Sequence, residues 1–238
     1  QTGERAITSM TPAVGGGAWV GTTIGLARFS SKAIPERWWR SNPDDPASLG
    51  PGYVSAVLEA RDGTVWVGTE ASGLHRMRPD ASGFDTFRTD PKEPSSLADN
   101  SVRTLTEDRE GTLWIGLRSA GVNLLSPSSG RPRRYVSRPG DLDVLAGQSV
   151  TSIVEDHAGR IWVGTAASGV YRIDRTPSDI RVTRLDKRAG LVDDNVASLL
   201  EDDDGSLWIA TRRGLARLDP GRGVFATWGL DDGLPSLA

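Results

Sequence analysis

Apolar residues along this chain gather in short clusters of about four to six, each broken by Gly, Pro, Asp, Asn or Ser, and no stretch sustains a helical period with a cap at its start. One grouping shows the pattern clearly. Val102 to Glu107, Leu113 to Leu117, Val122 to Ser126 and Arg133 to Val136 read as four consecutive strands. Between the first two, Glu107-Asp-Arg-Glu-Gly111 supplies the Asp and Gly of a tight hairpin, and Ser119-Ala-Gly121 puts a Gly ahead of the third. Helices are expected only as short decorations.

The same grouping recurs along the whole chain. Trp19, Trp66, Trp114, Trp162 and Trp208 stand in one local phrase, spaced by 47, 48, 48 and 46 residues. The phrase reads Gly63-Thr-Val-Trp-Val-Gly-Thr69, Gly111-Thr-Leu-Trp-Ile-Gly-Leu117, Gly159-Arg-Ile-Trp-Val-Gly-Thr165 and Gly205-Ser-Leu-Trp-Ile-Ala-Thr211, prefigured by Gly17-Ala-Trp-Val-Gly-Thr22. Four strands in a period of roughly 40 to 50 residues make a propeller blade. The predicted fold is therefore all-β: a β-propeller of five four-stranded antiparallel blades, near residues 1–48, 49–96, 97–144, 145–190 and 191–238. The repeated Trp is expected to fill space between neighbouring blades. The small residues Ser9, Ala56, Thr104, Ser152 and Ser198, two places into each first strand, suit inner strands that converge on an axis.

Charge and composition remove several functions. Against 31 acidic residues stand 28 basic ones, for a net charge of -3 with no basic run, so a nucleic-acid partner is not expected. No apolar stretch approaches the roughly 18 residues of a membrane helix, and no membrane contact is expected within this segment. Cysteine is absent, which removes disulfides and thiolate metal sites. Glu59, Glu107, Glu155 and Glu201 recur at one repeat position, three of them followed by Asp, while the first blade has Pro12 there. A ring of carboxylates for a cation such as calcium is one reading, and a requirement of the hairpin turn is the other. His75 and His157 fall at non-equivalent positions, both expected at the surface, and no GxSxG or HExxH phrase is present. No cofactor, metal ligand or catalytic residue is assigned. Paired carboxylates for glycoside hydrolysis remain open, because their separation in space is invisible in a sequence.

The combination of Ser48-Leu49, Val54, Glu59, Gly63, Trp66-Val-Gly-Thr69 and Gly73-Leu74 with Arg76 resembles the two-component regulator propeller repeat, and the resemblance extends over all five blades. The connectors Asn42-Pro-Asp-Asp-Pro-Ala-Ser-Leu49 and Asp90-Pro-Lys-Glu-Pro-Ser-Ser-Leu97 look like that family's linker. The resemblance implies a periplasmic input domain of a bacterial sensor, with a histidine kinase or diguanylate cyclase as its output module. It also implies an array of more blades than these, with a closed five-bladed ring as the alternative. The first inner strand starts at Ile7 with no donor strand before it, and Gly229-Leu-Asp-Asp-Gly-Leu-Pro-Ser236 aligns with Arg188-Ala-Gly-Leu-Val-Asp193, the lead-in to a further blade. Neighbouring blades or a second protomer would then cover exposed blade faces.

Propellers commonly bind through the second-to-third and fourth-to-first connectors, where the repeat relaxes. Those connectors offer Glu70, Arg118, Arg212 and Arg213 between strands, and Tyr53, Asn100, Gln148, Asp194 and Asn195 just before inner strands. Arg, amides and a Tyr suit a polar ligand, either a carbohydrate or an acidic small molecule, or a protein partner. Trp38-Trp39 lies outside the repeated position, as an aromatic platform or as packing of the fourth strand on the adjoining blade. The expected function is ligand recognition without catalysis. A scaffold without a small ligand and a propeller glycosidase or lyase are the alternatives.

Overall fold

A computed structural model of the chain describes residues 6–93, 95–126, 133–134, 145–175 and 180–234. They form five antiparallel four-stranded sheets whose strand order follows the chain. The first holds β1 (Ile7–Pro12), β2 (Ala18–Thr22), β3 (Gly25–Phe29) and β4 (Pro35–Trp39). The second holds β5 (Val54–Glu59), β6 (Val65–Thr69), β7 (Leu74–Met77) and β8 (Phe84–Phe87). The third holds β9 (Val102–Glu107), β10 (Leu113–Leu117), β11 (Val122–Leu125) and β12 (Arg133–Arg134). The fourth holds β13 (Val150–Glu155), β14 (Ile161–Thr165), β15 (Val170–Arg175) and β16 (Ile180–Leu185), and the fifth β17 (Val196–Glu201), β18 (Leu207–Thr211), β19 (Gly214–Asp219) and β20 (Val224–Trp228). The expected third strand ends one residue early, at Leu125, and residues 135–136 of the expected fourth lie outside the described residues.

The chain divides into two compact units, one made of residues 1–118 and 122–135, the other of 119–121 and 136–238. In the first unit β5 packs on β1 and β2, and β9 on β5 and β6; in the second, β17 packs on β13 and β14. The Gly of the Trp phrase makes this approach possible. A Cβ on Gly68 would lie 2.5 Å from Val102 Cγ1, and one on Gly164 would lie 2.8 Å from Val196 Cγ1. Hydroxyls tie inner strands together across sheets: Thr8 Oγ1 donates to the Val54 carbonyl, and Ser55 Oγ to the Val102 carbonyl at 2.5 Å. In the second unit the Leu199 N–H donates to Ser152 Oγ at 3.2 Å.

Within the two units, Trp19 and Trp162 sit where one sheet meets the next. Trp19 joins Val54, Val57 and Val65 in one apolar cluster, and Trp162 joins Val196, Leu199 and Leu207 in another. Burying an aromatic ring of this size is a leading stabilising contribution. Trp39 also packs inward, its ring 5.5 Å from Trp19 and its indole N–H donated to the Ala81 carbonyl of the next sheet at 3.2 Å. Trp38 stays partly exposed, edge-on to Phe29, with the Arg40 guanidinium 5.4 Å from its ring.

Both Pro-rich connectors close in the same way. Ser48 Oγ accepts the Asn42 N–H at 2.9 Å and donates to the Asn42 carbonyl at 2.8 Å; Ser96 does the same for Asp90 at 2.9 and 3.0 Å. Leu49 and Leu97, the next residues, are buried as anchors. The later connectors instead use single 3₁₀ turns, Lys187–Ala189 and Leu230–Asp232, each ended by a left-handed Gly, Gly190 or Gly233. The only helical turns among the described residues are these two decorations.

Candidate recognition surface

Each sheet has two ends along its strands. One end carries the first-to-second and third-to-fourth hairpins, the other the second-to-third and fourth-to-first connectors. At the hairpin end the repeated Glu has a defined task. Glu59 Oε2 accepts the Val14 N–H at 3.0 Å, Glu107 Oε2 the Arg61 N–H at 2.8 Å, and Glu201 Oε2 the His157 N–H at 2.9 Å. Each Glu is the last residue of an inner strand and clamps the hairpin of the preceding sheet. For Glu59, Glu107 and Glu201 the hairpin served is thus that of the neighbouring sheet and not the turn that follows the Glu itself. Among the described residues no three His, Cys, Asp or Glu side chains are grouped as metal ligands.

The histidines divide. His75 lies in β7 and is buried, against the expectation of a surface residue, because β7 is covered on both sides; its Nδ1 is 3.0 Å from Thr86 Oγ1 and its ring stands edge-on to Phe84. Burial, with the nearby Arg88 charge adding to it, lowers its pKa to about 4. His157 is exposed in its hairpin, and its Nδ1 lies 2.5 Å from Glu201 Oε1.

At the connector end the candidate residues fall into two groups. In the first unit Tyr53 is partly exposed, its carbonyl accepts the Glu70 N–H at 3.1 Å, and the Glu70 carboxylate pairs with Arg118 of the next sheet. Asn100 serves the scaffold: its side-chain oxygen accepts the Thr89 N–H at 2.8 Å and its carbonyl accepts the Gly73 N–H at 2.8 Å. In the second unit the Asn195 carbonyl accepts the Arg212 N–H at 3.0 Å, and Arg213 Nε lies 3.5 Å from Asp193. Gln148 accepts the Gly121 N–H through its carbonyl at 2.9 Å, and Asp194 Oδ1 accepts the Lys187 N–H at 2.9 Å. Tyr53, Glu70, Arg118, Arg212 and Arg213 present side chains to solvent or to each other, whereas Asn100 and Asp194 use theirs to hold connectors.

Tyr53 borders a cleft of about 350 Å³ between the first two sheets, whose walls include Ile24, Ser41, Leu49, Pro51 and Thr69. A second cleft of about 480 Å³ opens outside it between the Asn42-to-Leu49 connector and Arg88. The sequence pointed to Tyr53 but not to these clefts, because the space beside Gly50, Pro51 and Gly52 exists only once residues of the first two sheets come together.

Five sheets of this connectivity, the second, third and fifth packed by their inner strands on the sheet before within their units, define a β-propeller architecture. Residues 48–71, 96–119, 144–167 and 190–213 match the family model described as two component regulator propeller. The four matched segments fall on the second to fifth sheets, one in each. Among solved structures, it is similar to the extracellular domain assigned to a hybrid two component system of B. thetaiotaomicron, at 19% identity and a TM-score of 0.78 over 95% of this chain and 30% of that one. A catalytically inactive virginiamycin B lyase from Staphylococcus aureus, solved with quinupristin, matches at 14% identity and a TM-score of 0.70 over 99% of this chain and 74% of that one. PorZ, a surface component of the type-IX secretion system of Porphyromonas gingivalis, matches at 16% identity and a TM-score of 0.67, covering 97% and 35%. This chain thus spans about 30% of the length of the first of these. A comparison with curated proteins finds no significant match.

Proposed function

We propose that this chain is a recognition segment of an extracytoplasmic bacterial sensor, binding a polar small molecule or a protein partner at its connector end and carrying out no covalent chemistry. The observation that supports this reading is the contrast between the two ends of the first unit. The hairpin end repeats one Glu clamp, at Glu59 and Glu107, whereas the connector end offers the cleft beside Tyr53 and the Glu70–Arg118 pair. A ligand carbohydrate or acidic group would meet the phenol of Tyr53 and the guanidinium of Arg118. The test is a thermal-shift screen of neutral and acidic sugars, repeated on Tyr53→Ala. A stabilising sugar whose effect vanishes in the variant upholds the reading; a shift that Tyr53→Ala leaves unchanged removes this cleft from it.

A neighbouring blade is the second partner we propose. β1 exposes Ile7 at 69% and Met10 at 70%, while their counterparts in β5, Val54 and Val57, are buried at 1% and 9% against the sheet before. An apolar strand face of this kind gains by being covered. Signalling would then act through packing between blades or protomers, since rigid sheets pass on a change at their interfaces.

A further inference from the structure

In the third, fourth and fifth sheets the indole N–H of the repeat Trp is held by a carboxylate six residues earlier: Trp114 by Asp108, Trp162 by Asp156 and Trp208 by Asp202, each at 2.7 Å. The other oxygen of that Asp accepts N–H groups of its turn, from Glu110 and Thr112 on Asp108 and from Ala158 and Arg160 on Asp156. In the fifth sheet Arg217 adds its guanidinium, with Nε 3.5 Å from Asp202. The repeat therefore contains a carboxylate seat made of an indole N–H, turn N–H groups and an Arg.

The first two sheets have Ala13 and Ala60 where the others have Asp. In the first, Glu59 reaches over from the neighbouring sheet and takes the Trp19 N–H at 2.7 Å. In the second, Glu107 does not do the same for Trp66. Its Oε2 is engaged by the Arg61 N–H at 2.8 Å, with the Arg61 Nε 3.6 Å away, and that guanidinium is anchored on the Asp108 and Arg109 carbonyls. The first sheet has Val14 at the place of Arg61, which leaves Glu59 free to turn toward its Trp. Trp66 is only 8% exposed, yet no described residue places an acceptor on its indole N–H. Beside it opens a cleft of about 550 Å³ between the hairpins of the second and third sheets, lined by Ala60, Asp62, Thr64, Trp66, Arg76 and Glu110 among others.

We propose that this cleft binds a small organic carboxylate, one oxygen of which accepts the Trp66 indole N–H. It would supply from outside the group that Asp108, Asp156 and Asp202 supply from within. The Asp62 N–H is the counterpart of the Glu110 and Ala158 donors, and Arg76 that of Arg217. Asp85 engages one nitrogen of Arg76 at 2.8 Å, and a guanidinium carries further N–H donors for a carboxylate. The rim groups Asp62, Thr64 and Glu110 suit hydroxyls, which favours a hydroxy acid of monosaccharide size. This site lies at the hairpin end, the opposite end from Tyr53, and goes beyond the function proposed above.

The test is calorimetric titration of the full chain with D-glucuronate and with succinate, using D-glucose as the uncharged comparison. At least one of the two acids should bind saturably, and the pair separates a sugar acid from a simple diacid. Ala60→Asp copies the three later sheets, so it should weaken binding by roughly tenfold or more while the unfolding midpoint holds or rises, as the Trp66 N–H at the cleft gains an acceptor from within the chain. Arg61→Val copies the first sheet, releasing Glu107 toward Trp66, and should weaken binding in the same direction. Tyr53→Ala should leave it unchanged, which separates failure here from failure at the connector end. Binding that survives Ala60→Asp, equal binding of D-glucose, or no binding of either acid into the millimolar range overturns the proposal.

Discussion

The close approach of successive sheets can be tested at a single methyl group. Gly68 lies in β6 opposite Ala56, and its φ is outside the left-handed region, so an Ala there meets no backbone strain. The added Cβ would nevertheless stand 2.5 Å from Val102 Cγ1, 3.0 Å from Val102 Cβ and 3.4 Å from Ala56 Cβ. Carbon contacts settle near 3.5 to 4.0 Å, so Val102 must retreat by about 1 Å. It has little freedom to do so. Val102 is fully buried, its side chain is stiff at χ1, and its carbonyl is held by Ser55 Oγ at 2.5 Å. Overpacking of this kind costs about 1 to 3 kcal/mol, and the entropy removed from the unfolded chain returns about 0.4 to 1. Gly68→Ala should therefore lose roughly 1 to 2 kcal/mol in urea unfolding followed by far-UV circular dichroism. Val102→Ala alone should cost about 2 kcal/mol by leaving a cavity, and the double variant should be less destabilised than the sum by about 1 kcal/mol or more. Additive losses, or a Gly68→Ala protein as stable as the parent, would refute the account of sheet packing.

Gly63→Ala makes the contrasting case: φ is +84° with nothing within 4 Å, so the same assay should show about 1 kcal/mol of backbone cost and no coupling to any neighbour. Asp156→Ala strands the Trp162 N–H and two turn N–H groups, for an expected loss of about 2 to 3 kcal/mol in urea. Burial raises the Asp156 pKa, but the bonds from Trp162 and Arg160 outweigh it and the net shift is downward. Its contribution is then complete above the unfolded value of 3.8 and is lost as pH falls through the lower folded value, so acid unfolding of Asp156→Ala should depend less on pH below about 4. His75 has the opposite charge bookkeeping. The folded chain keeps it neutral down to about 4 while the unfolded chain protonates near 6.5, so stability should fall as pH drops through that window. Replacement by Phe should flatten that slope, and an unchanged slope in His75→Phe would show that another group causes it.

Strand positions, sheet number and the interior role of the repeated Trp were legible in the sequence because they depend on local alternation and on a period of 46 to 48 residues. The two Ser-Leu connectors were legible for the same reason. Three features were not. The recurring Glu is conspicuous in the sequence, but its partner is a backbone N–H some 44 to 46 residues away, on a different sheet. His75 is buried because both faces of its strand are covered, a property of packing that no neighbour in sequence reveals. Ala60 breaks the Glu-Asp pairing visibly, yet the consequence depends on where Arg61 draws Glu107, and so on two side chains from different sheets. The sequence alone determined the repeat and the residues each sheet offers. Tertiary structure decided which polar groups find partners, because hydrogen bonds and burial depend on distances between sheets that the period does not encode.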